Sequence, residues 1–351
     1  MTVLPSQVKL PFSPREASKL ILKKLSSRRM QDIIKRRFGL NGGKVATLEA
    51  IGREYKITRE RVRQIEADAL KLLRREDHLV ELRPLLQVLE TRLADFGNVA
   101  AHHHFLDACA DKAHHRDLVL LLTLDNFFQR FPETNTSYER WMSDRARAAS
   151  VEKILAGVVR DLEKTAATVP EQKLYEIAAR NAMEVMGHTP EERILKAYMA
   201  TSKVIRKNPY GEYGLVSWPT ITPTGVKDKA YAALAKSGQP LHFRQVAAAI
   251  DQAGWNRRKA HPQTVHNELI KDKRFVLVGR GLYGLSEWGF EPGAVREVLV
   301  SVFRRAQRPL SKEQAIQLVL EKRAVKPQTI LLNLQNKSLF RKMENEEYVL
   351  V

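Results

Sequence analysis

Residues 25–75 read LSSRRMQDIIKRRFGLNGGKVATLEAIGREYKITRERVRQIEADALKLLRR. Ser26 or Ser27 is placed to cap a helix in which Met30, Ile33, Ile34 and Phe38 recur at helical spacing, and the stretch from Gly39 to Gly43 ends it. Thr47, with Ala50 and Ile51, opens a short helix that closes near Tyr55. Lys56-Ile57-Thr58 is a three-residue connection, and Thr58 is the N-cap of a long basic helix. On that helix Val62, Ile65, Ala69 and Leu72 form an apolar stripe, while Arg59, Glu60, Arg63, Gln64, Ala67 and Lys71 share the opposite face. Two helices across a tight turn, the second with Arg and Gln exposed near its start, are the pattern of a helix-turn-helix with a recognition helix. The stripe and caps read as a self-sufficient unit.

Working outward, charge is distributed unevenly. Lys and Arg number 59 against 40 Asp and Glu, a net charge of +19. Residues 1–77 hold 19 basic and 9 acidic side chains, residues 78–225 hold 18 and 19, and residues 226–351 hold 22 and 12. Two basic ends around a neutral middle point to a polyanion, namely duplex nucleic acid, at both ends. No apolar run reaches the roughly 18 residues of a membrane span, so no membrane role is expected. The start of the chain lacks a secretory signal, and the single Cys109 makes neither an internal disulfide nor a Cys-based zinc site. The expected location is a reducing cytoplasm, at the nucleoid. The 351 residues imply two to four domains.

The run TLEAIGREYKITRERVRQIEADALKLLR closely resembles region 4 of the bacterial sigma-70 family, the module that reads the −35 promoter element and leans on the flap of the RNA polymerase β subunit. The resemblance implies that Arg59, Glu60 and Gln64 reach base edges in the major groove, that Arg63 and Lys71 approach phosphates, and that Thr58 starts the reading helix. Arg suits guanine, Gln adenine, and Glu the cytosine amine. Only about 25 residues precede this module in the sequence, so the chain is not expected to act by itself as a complete sigma factor.

Residues 226–292 read as three helices followed by strands 275–278 and 282–285, hinged at Gly279-Arg280-Gly281. PLHFRQVA, PQTVHNELI and RFVLVGRGLYGL resemble the HARE-type helix-turn-helix, a winged helix found in the polymerase delta subunit and in chromatin and restriction proteins. Residues 294–351 repeat the plan: Pro262-Gln263-Thr264 matches Pro327-Gln328-Thr329, Phe275 matches Phe340 and Tyr283 matches Tyr348. Tyr213-Gly214-Leu215 before Trp218 echoes Tyr283-Gly284-Leu285 before Trp288, which extends the reading to residues 150–223. Residues 84–145, ending at Trp141, are read as helical with a diverged winged helix as the candidate plan. These tryptophans and tyrosines read as packing between wing and helices. Arg280, on a glycine-flanked hairpin tip, is a candidate DNA contact. In the second repeat the wing carries Glu344 and Glu346, which disfavours phosphate.

Catalytic signals are weak. His102-His103-His104 and His114-His115 point in different directions on a helix and have no acidic partner at ligand spacing. Glu171-Gln172-Lys173 is half of a nuclease motif in a helical run. The expectation is therefore a mainly α protein with short β wings: an N-terminal arm (1–20), a helix-turn-helix (21–76) and tandem winged helices. It is read as a non-enzyme with no cofactor, metal or small-molecule substrate, binding promoter-like duplex DNA and touching the RNA polymerase core at its β flap. Two rival readings stand beside it: a delta-like polymerase subunit that docks on protein, and a restriction-type nuclease.

Overall fold

The computed structural model describes residues 9–255, 258–323, 325–343 and 346–351. The chain divides into two units, Met1–Ala166 with Glu171–Ile205, and Ala167–Pro170 with Arg206–Val351. In chain order the helices of the first unit are α1 (Pro14–Leu22), α2 (Arg28–Phe38), α3 (Leu48–Tyr55), α4 (Arg59–Leu73), α5 (Glu76–Leu79), α6 (Arg83–Asp95), α7 (His102–Cys109), α8 (His115–Leu124), α9 (Arg145–Thr165), α10 (Glu171–Met186) and α11 (Glu192–Ala200). Strands β1 (Val99–Ala101), β2 (Gln129–Phe131) and β3 (Arg140–Met142) lie among them. Next come β4 (Val169–Pro170), β5 (Ile205–Lys207) and β6 (Glu212–Leu215). Then follow α12 (Val226–Ser237), β7 (Leu241–His242), α13 (Phe243–Ala253), α14 (Pro262–Lys271), β8 (Phe275–Gly279), β9 (Leu282–Leu285), α15 (Val295–Ala306), α16 (Lys312–Leu320), α17 (Pro327–Leu334), β10 (Phe340–Lys342) and β11 (Tyr348–Leu350).

From α6 onward one order recurs along the chain: helix, strand, two helices, two strands. The sheet orders agree, β1-β3-β2, β4-β6-β5 and β7-β9-β8, with the first strand of each set beside the last. In the fourth passage a single bridge between Leu310 and Tyr348 stands where the first strand would be, next to the β10–β11 hairpin. The protein is thus mainly helical with small β wings, a helix-turn-helix followed by tandem winged helices. The wing tryptophans pack as their sequence positions suggest. A Cβ on Gly284 would come within 3.3 Å of the Trp288 ring and 2.8 Å of Phe290, and one on Gly214 within 2.7 Å of Trp218. Each strand glycine is a flat seat for the ring that follows it.

Residues 1–20, read as an arm, are helical from Pro14. Ser13 caps α1, its hydroxyl accepting from the Glu16 amide while the Glu16 carboxylate accepts from the Ser13 amide, with Pro14 at the first helical position. Ala17, Ile21, Leu22 and Leu25 are buried in a core with Ile34, Ala69, Leu73 and the leucines of α6 and α8. The 118–124 run LVLLLTL is apolar nearly all round, so α8 is buried, packed on α1 and α2. The back of the helix-turn-helix is therefore part of a core shared with the first winged helix, which corrects the self-sufficient reading. A second small core of Ile33, Ile51, Val62 and Ile65 joins α2, α3 and α4.

The stripe of α4 differs at one position: Leu73 is buried and Leu72 exposed. One residue is about 100° of rotation, and Leu73, four residues after Ala69, is the one that continues toward the shared core.

Candidate nucleic-acid interface

Capping and one close approach set the turn between α3 and α4. Thr47 caps α3, its hydroxyl accepting from the Ala50 amide at 3.1 Å. Lys56 ends α3 in the left-handed region (φ 52°), and the Ile57 amide donates to the Gly52 carbonyl at 2.9 Å. Gly52 is there for space: a Cβ would sit 2.7 Å from the Ile57 carbonyl oxygen. Thr58 then caps α4, accepting from the Arg61 amide at 3.2 Å. Its exposed hydroxyl keeps its proton for a second partner.

Arg59, Glu60, Arg63, Gln64 and Lys71 are all exposed along one side of α4, with Ala67 between them. The structure thus brings six of the seven candidate residues, Thr58 at its cap included, onto one helix. Two of them are engaged with each other: Arg63 donates Nε to Glu60 Oε2 at 2.9 Å and Nη2 to Oε1 at 2.7 Å. That bidentate bond holds the Glu60 carboxyl below its ordinary range and raises the Arg63 guanidinium. Arg61 donates to Gln64 Oε1 at 3.1 Å. Without DNA the reading side chains are ordered by their own neighbours. Behind them Tyr55 donates to Asp32 at 2.7 Å, and the Arg29 guanidinium lies 4.9 Å from the Tyr55 ring, tying α3 to α2.

The seventh residue, Arg280, belongs to the second unit. It is exposed in the turn between β8 and β9, and the Phe243 amide donates to the neighbouring Gly281 carbonyl at 3.0 Å, pinning the wing to the start of α13. His266 on α14 stacks on Phe243 with ring centroids 4.5 Å apart. Gln263 donates to Asn267 at 3.2 Å, and both are exposed. These polar residues of α14 went unmarked in the sequence, although α14 holds the place of a second helix-turn-helix helix. At the matching places α17 carries Leu331 and Leu332, the latter strongly exposed. Glu346 of the last wing pairs with Lys342 at 2.8 Å, whereas Glu344 lies outside the described residues.

The histidines do not assemble into a centre. Among the described residues no group of three His, Cys, Asp or Glu is arranged to hold a metal ion. His102 instead accepts at Nδ1 from the Trp141 indole at 3.0 Å, and burial pushes its pKa down. Glu171 and Lys173 lie on α10, where Glu171 accepts from Tyr175 at 3.1 Å and Lys173 pairs with Glu176 at 3.0 Å. No described helix is long and apolar enough to cross a membrane.

Comparison with known sequences agrees with this geometry. Residues 21–75 match the family described as "Sigma-70, region 4", and residues 225–288 match the HARE-HTH family, a helix-turn-helix domain described for ASXL and restriction endonuclease proteins. The chain is 45% identical over 58 residues to RNA polymerase sigma factor SigA of Lactococcus lactis subsp. cremoris, covering 16% of each chain. It is 37% identical over 91 residues to RNA polymerase sigma factor RpoD of Neisseria gonorrhoeae, covering 26% of this chain and 14% of that one. With SigA of Nostoc sp. it shares 48% over 60 residues, 17% of this chain and 15% of the relative. The chain thus spans about one sixth of the length of the curated relatives it matches. What it carries is a sigma-related helix-turn-helix and a HARE-type helix-turn-helix.

Proposed function

We propose that the chain is a sequence-specific duplex-DNA-binding protein that acts in transcription, reading a promoter-like element with α4. The observation that carries this reading is the exposed face of α4, where Arg59, Glu60, Arg63, Gln64 and Lys71 stand clear of both cores. Arg and Gln supply bidentate donors for guanine and adenine, and Lys71 a point charge for phosphate. The wing at Arg280, with Gln263 and Asn267 on α14, supplies a second basic and amide-bearing surface for nucleic acid. The reading assigns no catalytic step and no cofactor, and places the protein at the nucleoid.

Association with RNA polymerase is the second part of the proposal, supported by the sigma relatives. The back of the helix-turn-helix is buried under α6 and α8, so the contact uses surfaces outside that core. The fourth winged helix favours protein over DNA, because Leu331 and Leu332 stand where α14 has His266 and Asn267. A gel-shift series with the full chain on duplexes, alongside a pull-down of core polymerase, separates the readings. Sequence-selective, salt-dependent DNA binding supports the first. Polymerase capture without any duplex binding favours the delta-like subunit, and metal-dependent cleavage the nuclease.

A further inference from the structure

A cavity of about 650 Å³ opens within the first unit beside α4. One wall is α2 and α4, and the other is α8 with the β2–β3 wing of the first winged helix. Glu66, Leu70 and Arg74 line it at four-residue spacing, about a quarter of a turn round α4 from the reading face. The cavity is continuous with the flank of the helix assigned to the major groove.

Its chemistry is cationic. Arg74 donates Nε and Nη2 to the Thr123 carbonyl at 3.2 and 3.0 Å, and Arg116 donates Nη1 to the Gly39 carbonyl at 3.2 Å. Both guanidiniums are tied to neutral carbonyls, so their charges are held in place without being cancelled, and each keeps further N–H donors. Arg130, on β2, sits 5.8 Å from the Trp141 ring and meets the Glu139 carboxylate. His102 accepts from Trp141 at Nδ1, which leaves its proton on Nε2 as a donor. Among the described lining residues the one carboxylate, Glu66, is held by Arg37 at 3.0 Å.

We propose that this cleft seats the sugar–phosphate backbone of the same duplex whose bases α4 reads. The first winged helix would then serve DNA with its wing, while the helix in its recognition position, α8, is spent on packing. Guanidiniums preset by backbone carbonyls suit phosphate oxygens, and their continuity with α4 puts them where a backbone flanks a major groove. The inference rests on the DNA-binding reading above and extends its footprint.

The test uses the full chain and fluorescence anisotropy on a random-sequence duplex of about three helical turns over a sodium chloride series. Arg74→Gln and Arg130→Gln should each reduce the log–log salt slope by about 0.9 and weaken binding at about 0.1 M salt by up to about eightfold. Glu139→Gln frees Arg130 and should strengthen binding, a gain that misfolding does not produce. The proposal is overturned if the three variants melt like the wild type and leave slope and affinity unchanged. It is also overturned if inorganic phosphate binds in an Arg130-dependent way while the duplex slopes stay the same, which would make the cleft a small-anion site. If Gln64→Ala still erases sequence discrimination in either case, the function of α4 stands without the cleft. A wild-type chain that binds no duplex removes both.

Discussion

Glu60 and Arg63 face each other across one turn of α4 and share two hydrogen bonds, at 2.9 and 2.7 Å. Both side chains are well exposed to water, so the pair is easily exchanged for contacts with DNA. It also means that an acid on the reading helix tempers a neighbouring base until the right partner arrives. Glu60→Gln removes that acid at constant size. The expected result is tighter binding to random duplex and a smaller ratio between selected and random sites, measured as two Kd values. An unchanged ratio would place Glu60 outside base readout.

Gly52 is where the turn is most sensitive. Its missing side chain lets the Ile57 carbonyl approach, so Gly52→Ala must push α3 and α4 apart at the turn. A loss of about 1–3 kcal/mol is expected, together with weaker binding to every duplex, read by thermal melting and anisotropy. Because residue 52 faces the turn and not the solvent, sequence preference should survive in whatever fraction still binds.

The histidines of α7 predict a pH dependence. Burial is the main cause lowering the pKa of both His102 and His104, the latter helped by His103. In the unfolded chain these rings protonate near their ordinary value of about 6.5. With the folded pKa below the unfolded one, the unfolded chain binds more protons in between, so stability is full above about pH 6.5 and falls as pH drops toward the folded pKa values. The melting temperature should therefore decline as the pH is lowered from about 7 to about 5. His104→Gln should flatten that decline, and a slope that stays the same would remove His104 from the account.

Much of the site was legible in the sequence, and the reasons are local. Thr47, Thr58 and Gly39 carry their capping chemistry within four residues, and the spacing of Ile33, Ile51, Val62 and Ile65 marks the small core. The repeat of Pro-Gln-Thr at 262 and 327 announced the paired winged helices. Three things were not legible because they depend on partners far along the chain. Leu73 replaces Leu72 because the shared core lies at that end of α4. The segment 14–22 is structured because α8 covers it, almost a hundred residues on. Arg74 meets Thr123 and Arg116 meets Gly39 across 49 and 77 positions, separations at which no periodicity speaks.

The shared core gives a prediction about fragments. Residues 21–76 alone leave Leu25, Ile34, Ala69 and Leu73 without the leucines of α6 and α8. Burying such a side chain is worth about 1.5–3 kcal/mol, so the fragment should lack a cooperative melt, whereas residues 9–205 should show one by circular dichroism. A sharp transition in the short fragment would contradict the fused core.

The central claim is that α4 reads sequence, and selection from a random duplex pool by the full chain tests it most directly. The wild type should enrich one short motif. In parallel selections Arg59→Ala and Gln64→Ala should each relax one or two positions of it, losing about 1–3 kcal/mol of discrimination per base contact, while Lys71→Ala should keep the motif and bind all sequences more weakly. No enrichment by the wild type, or the same motif at the same strength from all four proteins, would contradict the account.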